Sequence, residues 1–242
     1  MSEFVMEAIN VAKVLGDGPA QVRALKGVSL SLRGGELTLL MGPSGSGKTT
    51  LLSILGCMLT PTEGTVHVCG NCVSGHGAED LAKLRRNQIG FVFQSYHLFP
   101  TLTAADNVRL ALDVRSTRDK NAMTKANEAL AKVGLAHKTK SYPRQLSGGE
   151  QQRVAIARAV VGNPSVILAD EPTAALDSEN GKAIMKLLVE MAKDADRGVL
   201  VVTHDPRLVP YADRIIHIED GNIVREQSRE GATQLQDILE RA

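Results

Sequence analysis

No stretch of the 242 residues approaches the run of about 18 apolar residues that a membrane-spanning helix requires, so any membrane role needs a partner. Charge of one sign is also missing. Lysine and arginine number 28 against 27 acidic residues, a net charge of +1 that gives no electrostatic footprint for nucleic acid. Three cysteines cannot all pair, and nothing else points to an oxidising compartment. The opening "MSEFVMEAIN" lacks the basic start and apolar core of a secretory signal. No internal repeat, low-complexity linker or sustained heptad stands out. With 43% apolar and 23% charged residues, the chain reads as a soluble, cytosolic domain with one sizeable core, or a core plus a smaller subdomain.

Aromatic residues are scarce, with no tryptophan, four phenylalanines and three tyrosines, so their placement is informative. Phe91, Phe93, Tyr96 and Phe99 fall within nine positions. Phe91 and Phe93 read as strand core. Tyr96, His97, Leu98 and Phe99 follow in a loop before Pro100, an apolar surface suited to docking a partner helix. A second local cluster is "HVCGNCVSGH", which gathers His67, Cys69, Cys72 and His76 around half of a zinc-type spacing. The alternation of "TVHVCG", with "GN" as a turn, favours a plain β-hairpin.

Alternation in "ALKGVSLSL" (24–32) predicts a strand, and "LTLLMG" a strand buried on both faces. The latter runs into "GPSGSGKTT" (42–50), which is followed by the helical spacing of "KTTLLSILGCM". Residues from about 101 to 163 are mostly helical in pattern, with "TKANEALAKVGL" amphipathic. Buried-strand character returns in "VILADE" (166–171) and "GVLVVTH" (198–204), with a helix over roughly 179–194 between them. "RIIHIEDGNIV" predicts a hairpin turning at Asp220-Gly221. The tail beyond Arg225 is charged and helical in pattern around Leu235, Ile238 and Leu239. Strands alternating with helices imply an α/β fold with a mainly parallel sheet, interrupted by a helical insertion.

In the strand-loop-helix context, Gly42, Gly45 and Gly47, with Pro43, Ser44 and Ser46 between them, let backbone N–H groups turn toward phosphate oxygens. The helix start adds its positive end, Lys48 can reach the β- and γ-phosphates, and Thr49 can offer its hydroxyl to Mg²⁺, with Thr50 beside it. Asp170, at the end of a buried strand, would hold Mg²⁺, and Glu171 could accept a proton from an attacking water. A second anion-type loop, "LSGGEQQR" (146–153), is unexplained by a single nucleotide.

Taken in order, these motifs resemble the ATP-binding subunit of ABC transporters, over about residues 5–226. The resemblance implies a P-loop (RecA-like) core at 1–95 and 164–225 with an N-terminal antiparallel β portion. It also implies a helical signature subdomain at about 96–163 and a tail at 226–242. Gln94 in "FVFQ" resembles the glutamine linking metal, water and transport domain. "AALD" (174–177), ending at Asp177, resembles the loop that crosses to the partner, and His204 the switch histidine near the γ-phosphate. Two copies are expected head to tail, with ATP between the first loop of one and Ser147, Gly148 and Gly149 of the other. "ALKGVSL", "LLSILGC", "LRRNQIGFVFQSYHLFPTLTAADNV" and "ILADEPTAALDS" look like the lipoprotein-releasing and macrolide-exporter (MacB-like) group. That implies an integral membrane permease supplied separately, docking near Tyr96–Phe99, and a location on the cytoplasmic face of the inner membrane.

The sequence departs from the family pattern twice. Leu15 stands where an aromatic residue usually stacks on adenine, with Arg23 an alternative stacking group, and Ala174 stands where this group commonly has glycine. A soluble family member of the translation or DNA-repair type is the alternative. Translation members usually carry two such domains and repair members long coiled coils, and neither pattern is here. A regulatory module without hydrolysis fits less well, because Lys48, Gln94, Glu171 and His204 are all present.

Overall fold

The computed structural model describes residues 4–115 and 119–228. The strands are β1 (Phe4–Leu15), β2 (Val22–Arg33), β3 (Leu37–Met41), β4 (Glu63–Val68), β5 (Asn71–Cys72), β6 (Ile89–Val92), β7 (Val166–Asp170), β8 (Gly198–Thr203), β9 (Arg214–Glu219) and β10 (Asn222–Ser228). The helices are α1 (Lys48–Leu55), α2 (Ala78–Gln88), α3 (Ala104–Arg115), α4 (Ala122–Lys132), α5 (Gly148–Val160) and α6 (Ser178–Ala192). A six-stranded sheet has the order β10-β9-β3-β8-β7-β6, parallel throughout except for β10. A four-stranded antiparallel sheet has the order β2-β1-β4-β5.

The central sheet is buried on both faces, and its side chains divide by strict alternation. Leu39, Ile167, Ala169, Val199 and Val201 point into a core shared with α3, α4, α5 and α6. Leu40, Val166, Leu168, Leu200 and Val202 point into a second core, shared with α1 and the antiparallel sheet. This sandwich explains why "LTLLM" and "VILAD" carry apolar residues at successive positions instead of alternating.

Two elements gave no clear signal in sequence. β1 alternates poorly because its pairing with β2 is interrupted by several register shifts, each of which turns side chains to the other face. No residue of α2 is fully buried, and the two leucines that pack on the core, Leu81 and Leu84, make too narrow a stripe to be recognised by. The tail needs a correction at its start: β10 carries the ladder to Ser228, past Arg225. The tail helix expected around Leu235, Ile238 and Leu239 lies outside the described residues.

A single buried side chain organises the approach to the helical insertion. Asn107, fully buried on α3, accepts from Phe99 N at 2.8 Å and donates to the carbonyls of Phe99, Leu102 and Thr103 at 3.0–3.1 Å. It thereby folds the Phe99–Thr103 turn onto the start of α3. Asn107→Ala strands these groups without water, so chemical denaturation should show a loss of about 2–4 kcal/mol.

Candidate functional site

Four of the five parallel strands, β3, β6, β7 and β8, end at one edge of the sheet, and most of the expected site residues follow directly from those ends. Register fixes this: Met41 lies opposite Thr203, Val202 opposite Asp170, and Ala169 opposite Val92. The glycine loop follows Met41, Gln94 lies two residues beyond β6, Glu171 follows β7, and His204 follows β8. Ligands of α/β sheets gather at such carboxyl ends.

A cleft of about 1010 Å³ opens there. It is lined by Pro43, Ser44, Gly45, Gly47, Lys48, Thr49 and Thr50 from the loop and the first turn of α1. Gln94, Asp170, Glu171 and His204 form its other wall. Gly42 and Ser46 belong to the loop without lining the cleft. Gly47 caps α1 at φ +100°, and a Cβ there would stand 2.6 Å from Ala24 O, so glycine is required for both conformation and space. The loop is further tied down by Gly221 N donating to Ser46 O and Lys26 N to Gly221 O.

The electrostatics suit a phosphate chain with a divalent cation. Lys48 Nζ donates to Gly42 O and Pro43 O, both at 2.7 Å. Burial holds its pKa below the usual lysine range, partly offset by Glu171 and Asp170. Burial pushes Asp170 upward, and the neighbouring Glu171 adds repulsion that Lys48 only partly relieves. A half-buried carboxylate beside a second one is a place where a cation would be favourable. Ser46 Oγ is buried without a hydrogen-bond partner among the described residues, an orphaned polar atom within a phosphate-type loop. The oxygens of Asp170, Thr49 and Gln94 are the hard donors that Mg²⁺ takes. The residues present therefore fit both groups.

Glu171 is held at both oxygens. His204 Nδ1 lies 2.6 Å from Oε1, and Thr203 Oγ1 donates to Oε2 at 3.2 Å. Its backbone sits at φ +44°, a region that side chains rarely adopt, with Glu171 N bonded to Val202 O.

At the cleft mouth, Leu15 and Val22 face one another across the β1–β2 hairpin, 38% and 62% exposed. They form an aliphatic shelf beside the glycine loop. Arg23 also lines the cleft, with its guanidinium 3.7 Å from Glu63 in a largely exposed ion pair. Lys26, within β2, and Asp220, at the β9–β10 turn, join them.

The second loop stands apart. Ser147, Gly148 and Gly149 begin α5, and neither they nor Asp177 line the cleft. Ser147 caps α5 by accepting from Glu150 N at 3.3 Å, while its own N–H donates to Glu150 Oε2 at 2.8 Å. That backbone bond is the main cause holding Glu150 below the usual carboxylate range. Asp177 caps α6 through its side chain alone, accepting from Glu179 N and Asn180 N at 3.1 and 3.0 Å. Ala174 is exposed in the connecting loop.

The cysteine cluster folds as a β-hairpin. The turn lies one residue earlier than "GN": Cys69 and Gly70, both at positive φ, join the facing pair Val68 and Asn71. Cys69 Sγ contacts Gln88 Oε1 while Cys72 is exposed, and no group of three or more His, Cys, Asp or Glu among the described residues could hold a metal.

Comparison with known proteins agrees with this geometry. A family model described as "ABC transporter" matches residues 25–174. The macrolide export ATP-binding/permease protein MacB of Shigella flexneri is 45% identical over 91% of this chain. Its counterpart in Salmonella choleraesuis is 46% identical over a similar span. The chain spans 34%, about a third, of the length of these relatives. A dimeric post-hydrolysis structure of the ATP-binding cassette MJ0796 with ADP and Pi is 42% identical, covers 93% of this chain and 98% of that one, and superposes with a TM-score of 0.85. CbiO1 of Clostridium perfringens, part of a cbiONQ ABC transporter complex, is 27% identical, covers 99% of this chain and 94% of its own, and gives a TM-score of 0.87. The chain belongs to the ABC transporter family, as one of its ATP-hydrolysing cassettes.

Proposed function

We propose that this chain binds ATP with Mg²⁺ and hydrolyses it as half of a head-to-tail dimer, driving a membrane permease in export or lipoprotein release. The observation that carries the reading is the separation of two half-sites. The cleft holds Lys48, Gln94, Asp170, Glu171 and His204, while the N-terminus of α5 with Ser147 and Gly149 lies on another part of the same chain. A second copy is the simplest source of the missing half for each. Likeness to a dimeric cassette, and to relatives named for macrolide export, supports the same reading.

Each residue then has a task. Lys48 exchanges its bonds to Gly42 O and Pro43 O for phosphate oxygens, and the loop N–H groups cradle the same chain of phosphates. Mg²⁺, when bound, would neutralise charge on the phosphate oxygens, held by Thr49, Gln94 and Asp170. Glu171 accepts the proton of the attacking water, and His204 keeps its carboxylate aimed. Ser147 keeps a hydroxyl proton free to donate to the neighbour's γ-phosphate, because its cap bond to Glu150 N uses only a lone pair.

The permease is proposed to dock beside the Tyr96–Phe99 loop. Phe99 is 51% exposed, and Arg158 donates to Tyr96 O and His97 O at 2.7 and 2.5 Å. Arg158 also lines an adjacent groove of about 450 Å³, together with Arg85, Arg86, Arg115, Phe91 and Val114. Apolar floor, four arginines and no carboxylate in the lining fit an amphipathic cytoplasmic segment carrying acidic residues. No helix among the described residues is long and apolar enough to cross a membrane. The proposed location follows from the permease: peripheral, on the cytoplasmic face of the inner membrane. The permease should co-purify with the wild type and be lost with Leu110→Asp in the groove, while hydrolysis by the isolated chain changes by less than about twofold.

Two variants test the nucleotide site. Glu171→Gln should retain ATP, accumulate a dimer in size-exclusion chromatography with light scattering, and turn over roughly 10²–10⁴ times more slowly. Near-normal turnover would remove Glu171 from its role. At the cleft mouth, the Leu15–Val22 shelf lacks a π-face that stacking would use, an effect of about 1–3 kcal/mol in nucleic-acid complexes. The wild type should therefore distinguish ATP from GTP weakly, and Leu15→Tyr should tighten ATP by up to about tenfold. Titration of both nucleotides against both proteins checks this. Strong ATP preference unaffected by the substitution would place base recognition on Arg23 or another group.

A further inference from the structure

One face of the α5 N-terminus lies along the loop that leads from Glu171 to α6. A Cβ on Gly148 would come within 3.6 Å of Leu176 Cδ2, and one on Gly149 within 2.5 Å of Asn180 Oδ1. Asn180 in turn donates to Asp177 Oδ2 at 2.7 Å. On the same face, one turn further along, Gln152 is fully buried, and its Nε2 donates to Pro172 O at 2.9 Å. Pro172 directly follows Glu171, whose backbone is in the strained left-handed region. Helix α5 therefore bonds to the start of this turn through Gln152, and its glycines lie close along Leu176 and the first turn of α6.

Gln152 is a costly residue for that position. Its neighbours Val154, Ala155 and Ile156 are fully buried apolar residues, and its Oε1 has no hydrogen-bond partner among the described residues. Apolar packing would be served better by leucine or methionine. What only the amide provides is the donor to Pro172 O.

We infer that Gln152 is a positioning residue that ties the helix meeting the neighbour's ATP to the turn that aims this chain's own Glu171. Engagement of Ser147 and Gly149 by one nucleotide would thus set the base that acts on the other, so the two sites of the dimer fire together. The inference rests on the dimer reading above and assigns its coupling to a named bond. A strained turn needs to be held from outside, and α5 is the element whose position depends on the second nucleotide.

The test isolates the chemical step. Dimers are assembled with ATP in EDTA, counted by light scattering, and started with Mg²⁺, so that the first turnover is measured per closed dimer. Gln152→Met fills the volume without a donor, and Gln152→Asn keeps an amide one methylene short of Pro172 O. Each should slow the first turnover about tenfold, with ATP affinity, dimer fraction and melting temperature unchanged. Combining Gln152→Met with Ser147→Ala should slow it less than the product of the two single effects, because both act along one route. First turnover at the wild-type rate in both variants overturns the inference. So does slowing that tracks lost dimer or lowered melting temperature, or an effect that simply multiplies with Ser147→Ala. If ATP assembles no dimer of the wild type, the dimer reading falls and this inference with it. If dimers form and the effects multiply, only the role of Gln152 falls.

Discussion

The parallel register of the central sheet is the constraint on which the site depends. Strands β3, β6, β7 and β8 are held in step by ladder bonds, and their side chains are anchored in cores on both faces. A one-residue slip would turn every apolar side chain of a strand to the opposite core. The same slip would move the glycine loop, Asp170, Glu171 or His204 by about 3.3 Å along the edge. Packing thus fixes the chemistry: the buried volume of Leu39, Leu168 and Val201 determines where the phosphate loop and the carboxylates meet.

Of the eight non-glycine residues at positive φ among the described residues, three stand in the turns that follow β6 and β7 at this edge. Glu171, Tyr96 and His97 all have positive φ without being glycine. Each is over-determined by bonds from elsewhere: Glu171 by His204, Thr203 and Val202, and Tyr96 and His97 by Arg158. Strain of order 1–3 kcal/mol per residue persists only under such restraint. Helix α5 is the common support, since Arg158 holds the loop after Gln94 and Gln152 the turn after Glu171. Helix α5, whose N-terminus carries Ser147 and Gly149, thus braces the turns after β6 and β7 of its own chain.

The antiparallel sheet contributes a different property. Its β1–β2 hairpin brings Leu15 and Val22 to the cleft mouth, while the turn at Asp220 and Gly221 is bonded to both Lys26 and Ser46. The cleft mouth and the glycine loop thus belong to separate layers of the fold.

Local chemistry made much of this legible in the sequence. The glycine loop, the acidic strand end, the buried strands and the Asp220-Gly221 turn each depend on residues adjacent in the chain. The sequence alone determined a strand-loop-helix of the phosphate-binding pattern, and a second glycine-containing loop opening a helix. It did not reveal β1, whose register shifts blur its alternation, or α2, which buries no residue fully. Nor did it single out Asn107, Gln152 or Arg158, whose polar side chains carry no pattern and acquire meaning only from distant backbone groups. The separation of Ser147 and Gly149 from the cleft was likewise decided by tertiary structure. Motifs are written in sequence by local spacing, whereas the position of one motif relative to another follows from packing between residues far apart in the chain.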